Sequence, residues 1–147
     1  MTDVERLLAI HEISHLKARY FRCMDTKDWD GFAAVFTPDA TADYTPPDGN
    51  PAEWTVTGAA NVVAFVKNVV APAITVHHGH MPEIEVTSST TASAIWSMED
   101  LIWWPDGYRR KTLHGFGHYH ETYQKIGPGD KWLIKTLKLT RLRVVES

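Results

Sequence analysis

A single cysteine, Cys23, stands in 147 residues, so neither an internal disulfide framework nor a multi-cysteine zinc site is available. On that ground the cytoplasm is the expected compartment. Positive charge is not in excess either: fifteen Lys+Arg face eighteen Asp+Glu, for a net charge of -3. That balance lacks the electrostatic footprint of a protein that holds nucleic acid or an anionic membrane. A long hydrophobic run is missing as well. Lys67, Pro72 and the following histidines interrupt the best candidate, well short of the roughly 20 residues that a membrane span requires. The opening residues Met1-Thr2-Asp3-Val4-Glu5-Arg6 carry acids where a secretory signal needs positive charge, and no signal peptide is expected. What the chain does have is 44% hydrophobic and 11% aromatic residues, enough for a real core. Its length suits one domain, expected to run over residues 1–147.

Apolar residues at Val4, Leu7, Leu8, Ile13, Leu16, Tyr20 and Met24 follow the spacing of one helical face and predict a long first helix. Asp28 is placed to cap a short second helix carrying Trp29, Phe32, Ala33, Val35 and Phe36, closed by Thr37-Pro38. A strand is expected from Ala40 to Thr45. The turn formers Pro46-Pro47-Asp48-Gly49-Asn50-Pro51 then predict a loop. A third helix is expected after Gly58, with Val62, Val63, Val66, Val69 and Val70 as its buried stripe and Pro72 as its stop. From Ile74 onward the pattern is strand and turn: 74–80, 82–87, 91–104, 109–125 and 131–144. Helices first and strands afterwards predict an α+β domain.

Three places draw attention for chemistry. Alternation along the strand from Ala92 to Trp104 puts Ala94, Trp96, Met98, Asp100, Ile102 and Trp104 on one face. A carboxylate in that apolar row is either an edge residue in water or a buried acid with a partner, because an unpaired buried charge is expensive. The run His77-His78-Gly79-His80 offers three histidines, with His78 and His80 facing one way and His77 the other. A second group is His114, His118 and His120. His118-x-His120 set against His78-x-His80 could form an imidazole metal site, but such i, i+2 pairs arise readily by chance, and no metal is expected. Tyr20 and Asp25 mark the end of the first helix, where both could turn toward one cavity; a core aromatic and a turn residue are the plainer reading.

These places together resemble a known family. The stretch Ala18-Arg19-Tyr20-Phe21-Arg22-Cys23-Met24-Asp25-Thr26-Lys27-Asp28-Trp29-Asp30, then His77-His78-Gly79-His80-Met81-Pro82-Glu83-Ile84, then Trp96-Ser97-Met98-Glu99-Asp100, resembles the SnoaL-like branch of the nuclear-transport-factor-like superfamily. The pattern is nearest to the bile-acid dehydratases, with scytalone dehydratase and hexachlorocyclohexane dehydrochlorinase more distant. The resemblance implies a cone-shaped α+β fold, a curved mixed sheet wrapped on N-terminal helices with an apolar pocket at its open end. It implies a catalytic set of Tyr20, Asp25, His77 and Asp100. Tyr44, Trp96, Met98 and Tyr119 are implied as substrate contacts, and some of Trp54, Trp96, Trp103 and Trp104 as pocket walls for a flat polycyclic ligand. The proline-rich segment 45–56 is longer than in the bile-acid enzymes. A homo-oligomer, dimer or trimer, is implied through the outer sheet face, where Leu101 and Trp103 lie opposite to Asp100.

The reaction that follows from the resemblance is a cofactor-independent elimination of water from a hydrophobic hydroxy-carbonyl small molecule. His77, oriented by Asp25, would take the acidified C–H proton, Tyr20 or Tyr44 would bind the enolate oxygen, and His77 or a buried, protonated Asp100 would protonate the leaving hydroxide. The same residues would serve a ketosteroid-type isomerase or a polyketide cyclase. A non-catalytic binding module is the alternative of another class, because fold does not fix function.

Overall fold

The computed structural model describes residues 1–147. Helix α1 (Asp3–Asp25) is set at its start by a capping box in which Thr2 and Glu5 satisfy each other's backbone N–H groups. Its inward stripe, Ala9, Ile13, Leu16, Tyr20 and Met24, is buried, while Val4, Leu7 and Leu8 at its outer end are exposed. Helix α2 (Trp29–Ala33) is capped by Asp28, which accepts from the Gly31 N–H at 2.9 Å. It stops before Val35 and Phe36, although their spacing continues its apolar face. Phe36 instead opens β1 (Phe36–Asp43), so Pro38 closes no helix and sits inside a strand. The register of β1 shifts between Phe36 and Thr41, which accommodates a residue that has no N–H for the ladder.

The loop expected around Pro46 holds up to Asn50, which caps a single helical turn, α3 (Pro51–Trp54), followed by β2 (Thr55–Thr57). Neither short element was foreseen. Helix α4 (Ala59–Val70) buries Val62, Val66 and Val70. The two strands expected before residue 88 are one strand, β3 (Ile74–Val86), with an irregularity between Gly79 and Pro82. The remaining strands are β4 (Thr91–Trp103), β5 (Thr112–Ile126) and β6 (Lys131–Glu146).

The six strands form one unclosed, curved sheet in the order β2-β1-β6-β5-β4-β3. Only β1 and β6 run parallel; every other neighbour is antiparallel. The sheet wraps over α1, α2 and α4, and the buried residues of both layers form one continuous core. This is the α+β cone expected from the resemblance. Because the sheet stays open, the inward faces of β3 to β6 and the helices leave a hollow at one end.

Candidate active site

The hollow has a volume of about 700 Å3. Tyr20 from α1, Tyr44 after β1, His77 from β3, Asp100 from β4, Tyr119 from β5 and Arg141 from β6 all reach it. Five of those were picked out in the sequence; Arg141 was not. Asp25 lies behind His77 and touches the cavity only through it.

His77 is held from both ends. Its Nδ1 is 2.7 Å from Asp25 Oδ1, and its backbone N–H donates to Asp25 Oδ2 at 2.9 Å. A carboxylate only accepts, so Nδ1 carries the hydrogen, and in the neutral ring the lone pair is left on Nε2. Nε2 lies 3.8 Å from Asp100 Oδ2. Asp25 is itself steadied by the Thr75 hydroxyl, which donates to Oδ1 at 2.8 Å, and Thr75 accepts from Lys27 Nζ at 3.3 Å. Burial holds the Lys27 ammonium below its ordinary pKa, with Asp25 opposing that shift. Phe21 stacks on the imidazole, with ring centres 6.1 Å apart and planes 13° from parallel. Gly79 makes room for that ring: a Cβ there would meet Phe21 at 2.7 Å.

Asp100 is the buried acid with a partner. Arg141 grips it through both oxygens, Nη1 to Oδ1 at 2.6 Å and Nη2 to Oδ2 at 3.0 Å. Such a fork is the strongest charge-assisted geometry available to a carboxylate, and it engages both oxygens of Asp100. No signal near Asp100 in sequence could name Arg141, which lies 41 residues away on β6. Gly115, opposite Asp100 in β5, leaves the space for this pair, since a Cβ there would stand 2.1 Å from Arg141 Nη1 and 2.3 Å from Asp100 Oδ1. Gly115→Ala is therefore expected to drive the pair apart, costing about 1 to 3 kcal/mol in urea unfolding. A variant as stable as the wild type would show that the pair gives way freely.

Three phenols complete the polar end. Tyr20 and Tyr44 share a hydrogen bond of 2.8 Å between their hydroxyls. Tyr20 and Tyr119 meet edge to face, with ring centres 5.8 Å apart. Burial above all holds Tyr20, Tyr44 and Tyr119 above the ordinary phenol pKa, so each is a protonated donor at neutral pH. Beyond them the walls turn apolar, with Phe65, Val66, Ile102, Leu113, Trp54 and Trp104. Pro46, Pro47, Asp48 and Gly49 border the opening, which places the long segment 45–56 against the cavity as expected.

The remaining residues picked out in the sequence lie outside the cavity. Trp96 and Met98 do not line the cavity; both are buried beneath its floor, where Trp96 Nε1 donates to the Tyr123 hydroxyl at 2.9 Å. They share the Asp100 face of β4, but the curve of the sheet carries them deeper. Trp103 faces outward and is exposed. The two histidine pairs do not converge on an ion. His78 and His80 instead flank Glu99 on the outer face, each 3.6 Å away, together with His114 at 3.0 Å, while His120 bonds Thr140 at 3.0 Å. The His114 hydrogen bond holds the Glu99 carboxyl below its usual range. No group of three or more His, Cys, Asp or Glu side chains is arranged to hold a metal ion. No helix is long and apolar enough to cross a membrane.

The chain is 30% identical over 135 residues to "Probable cyclase FGR4" of Gibberella zeae, covering 88% of this chain and 89% of that one. In structure it is similar to the "Putative Scytalone Dehydratase" of Novosphingobium aromaticivorans, with a TM-score of 0.83 and 19% identity over 99% of this chain and 92% of that one. It is similar also to the hexachlorocyclohexane dehydrochlorinase LinA-type3 of Novosphingobium barchaimii, with a TM-score of 0.81 and 19% identity over 99% of this chain and 94% of that one. At that identity the two structures speak for the fold alone. Residues 5–138 match the SnoaL-like domain family, and the chain belongs to that family.

Proposed function

We propose that the protein is a cofactor-independent lyase that eliminates water from a hydrophobic, polycyclic hydroxy-carbonyl compound. The observation that carries this reading is the setting of His77: Nδ1 bound to Asp25, the lone pair left on Nε2, phenol donors nearby and a paired carboxylate beyond. A neutral imidazole fixed in one tautomer by a carboxylate is a competent general base, and the imidazolium it becomes is stabilised at both ends by Asp25 and Asp100.

In the first step Nε2 takes the proton alpha to the substrate carbonyl, and the C–H electron pair moves into an enolate. Tyr20, its oxygen accepting from the Tyr44 hydroxyl, donates to the enolate oxygen; a preorganised donor of this kind is typically worth about 3 to 4 kcal/mol in the transition state. In the second step the enolate electrons form the new C=C bond, the beta C–O bond breaks, and the imidazolium returns its proton to the departing hydroxide as water. The proton goes back through His77 because Asp100 is engaged by Arg141. The apolar walls with Trp54 and Trp104 support a flat, hydrophobic substrate. The net charge of -3 speaks against nucleic acid as the partner. Exposed Ile95 and Trp103 on the outer face favour a homo-oligomer.

One observation favours a second reading. The relative of 30% identity bears the name of a cyclase, and an aldol-type ring closure starts from the same proton abstraction, with the enolate attacking a second carbonyl instead of expelling hydroxide. One assay separates the two. Purified protein is incubated with hydroxylated ketosteroids and polyketide-like hydroxy-ketones while the absorbance of a new conjugated enone is followed and product mass is recorded. Loss of 18 mass units, roughly one water, with an enone band that vanishes in His77→Ala is the expected result. A ring-closed product of unchanged mass would assign the cyclase. Silence across the panel would overturn the elimination.

A further inference from the structure

A buried polar network lies outside the site described above and lines no part of the cavity. Lys17 precedes Tyr20 on α1 by three residues, so the two side chains neighbour each other on one helical face. The Lys17 side chain is 1% exposed, and its ammonium pairs with Glu121 of β5, which is fully buried. Glu121 also accepts from the Tyr123 hydroxyl, which in turn accepts from Trp96. Every charge in the network is therefore answered, but none of it reaches solvent or the cavity.

A buried ion pair needs a reason. Taking both charges out of water is costly, and well-packed apolar residues in their place are often neutral or stabilising. The position of the ammonium supplies the reason. It lies 3.8 Å from the centre of the Tyr20 ring and 3.6 Å from that of Tyr119, with Phe21 at 4.8 Å. Tyr20 and Tyr119 line the cavity, and Lys17, which does not, sits on their ring faces.

A phenol that donates to an oxyanion takes negative charge onto its oxygen and into its ring. A cation held on the ring face stabilises that charge. Two rings share one cation here, and the surrounding low dielectric leaves the effect poorly screened. Burial by itself works against these donors, since it holds both phenols well above their ordinary pKa. It also brings Lys17 down to about 8, with Glu121 opposing the fall, which leaves the ammonium charged at neutral pH.

The geometry points to Lys17 as a positioning residue that acts through the rings of Tyr20 and Tyr119, strengthening their hydroxyls as donors to an oxyanion bound in the cavity. This rests on the reading of the cavity as a site where an enolate forms. Glu121 has the companion task of keeping the cation charged and pressed between the rings. Lys17 touches neither substrate nor reacting atom.

The test uses 4-nitrophenol, a flat aromatic acid whose anion is coloured, so the pH at which the bound probe ionises is read directly from absorbance. That pH reports the affinity of the anion relative to the neutral phenol and is unmoved by a change that weakens both equally. The wild-type protein is expected to ionise the bound probe at a lower pH than free solution does. Lys17→Met is expected to raise that pH by about one unit, a tenfold loss of preference for the anion. Because Lys17→Met leaves a lone buried carboxylate, Lys17→Met with Glu121→Gln is measured beside it, and a shift in the same direction is expected. Variants that bind both forms of the probe more weakly, but ionise it at the wild-type pH, would overturn the role of Lys17 and leave the enolate reading standing. A wild-type cavity that binds no probe, or binds it without favouring the anion, would overturn the enolate reading and the role of Lys17 with it.

Discussion

Replacing Asp25 with Asn, or His77 with Ala, is expected to lower turnover by about 10³- to 10⁴-fold while the fold persists. The case for His77→Ala is direct, since Nε2 is the base of the proposed reaction. Asp25→Asn is the more searching change because it keeps the shape. Two carboxylate oxygens receive three donors: the His77 ring, the His77 backbone N–H and the Thr75 hydroxyl. An amide supplies one acceptor oxygen and turns the other position into a donor. If the amide oxygen stays with the backbone, its NH2 faces Nδ1 and drives the imidazole hydrogen to Nε2, where a base must have none. If it stays with Nδ1, the β3 backbone at His77 loses its partner. Either arrangement removes the tautomer or the position of the ring. Far-ultraviolet circular dichroism and the melting temperature report whether the fold survives, and initial rates report the chemistry. Full activity in either variant would sink the proposed mechanism.

The long, periodic elements could be read from the sequence because each buries a stripe that repeats. The first helix, the Val-rich α4 and the strands β4, β5 and β6 all announced themselves in this way. The failures are local and have physical causes. Val35 and Phe36 fit the helical spacing of α2, but a five-residue helix is too short for periodicity to decide its end. The ladder with β6 takes Phe36 into a strand, a long-range event that a window around Pro38 does not contain. Helix α3 and strand β2 are too short to show any period. In the site, Tyr20, Tyr44, His77, Asp100 and Tyr119 reach one place from five parts of the chain, whereas their supports were invisible. Thr75, Lys27, Arg141 and Lys17 look like ordinary surface types in sequence, and their burial depends on partners 41 to 104 residues away. Trp96 and Met98 show the opposite error: alternation gave their face correctly but carried no information about depth along a curved sheet.

Arg141 is where stability and chemistry part company, and a pair of variants separates them. In Arg141→Met the carboxylate of Asp100, whose side chain is 4% exposed, loses both hydrogen bonds of its fork. Breaking a buried pair from one side typically costs about 3 to 5 kcal/mol, because an uncompensated charge remains in low dielectric. For a chain of this length that is a fall in melting temperature of about 6 to 20 °C. Adding Asp100→Leu removes the stranded charge, and the double variant is expected to recover most of the lost stability, since an apolar pair fills the same space without desolvating an ion. Turnover is expected to move differently. The single variant leaves a carboxylate 3.8 Å from Nε2 without its counter-charge, so the imidazolium is trapped beside it and returns its proton poorly. The double variant removes the second of the two carboxylates that flank the imidazolium, so the recovered fold stays slow. Thermal unfolding followed beside initial rates reads both effects. If activity returned together with stability, Asp100 and Arg141 would be packing for the sheet and not part of the reaction, and His77 would have to work with Asp25 alone.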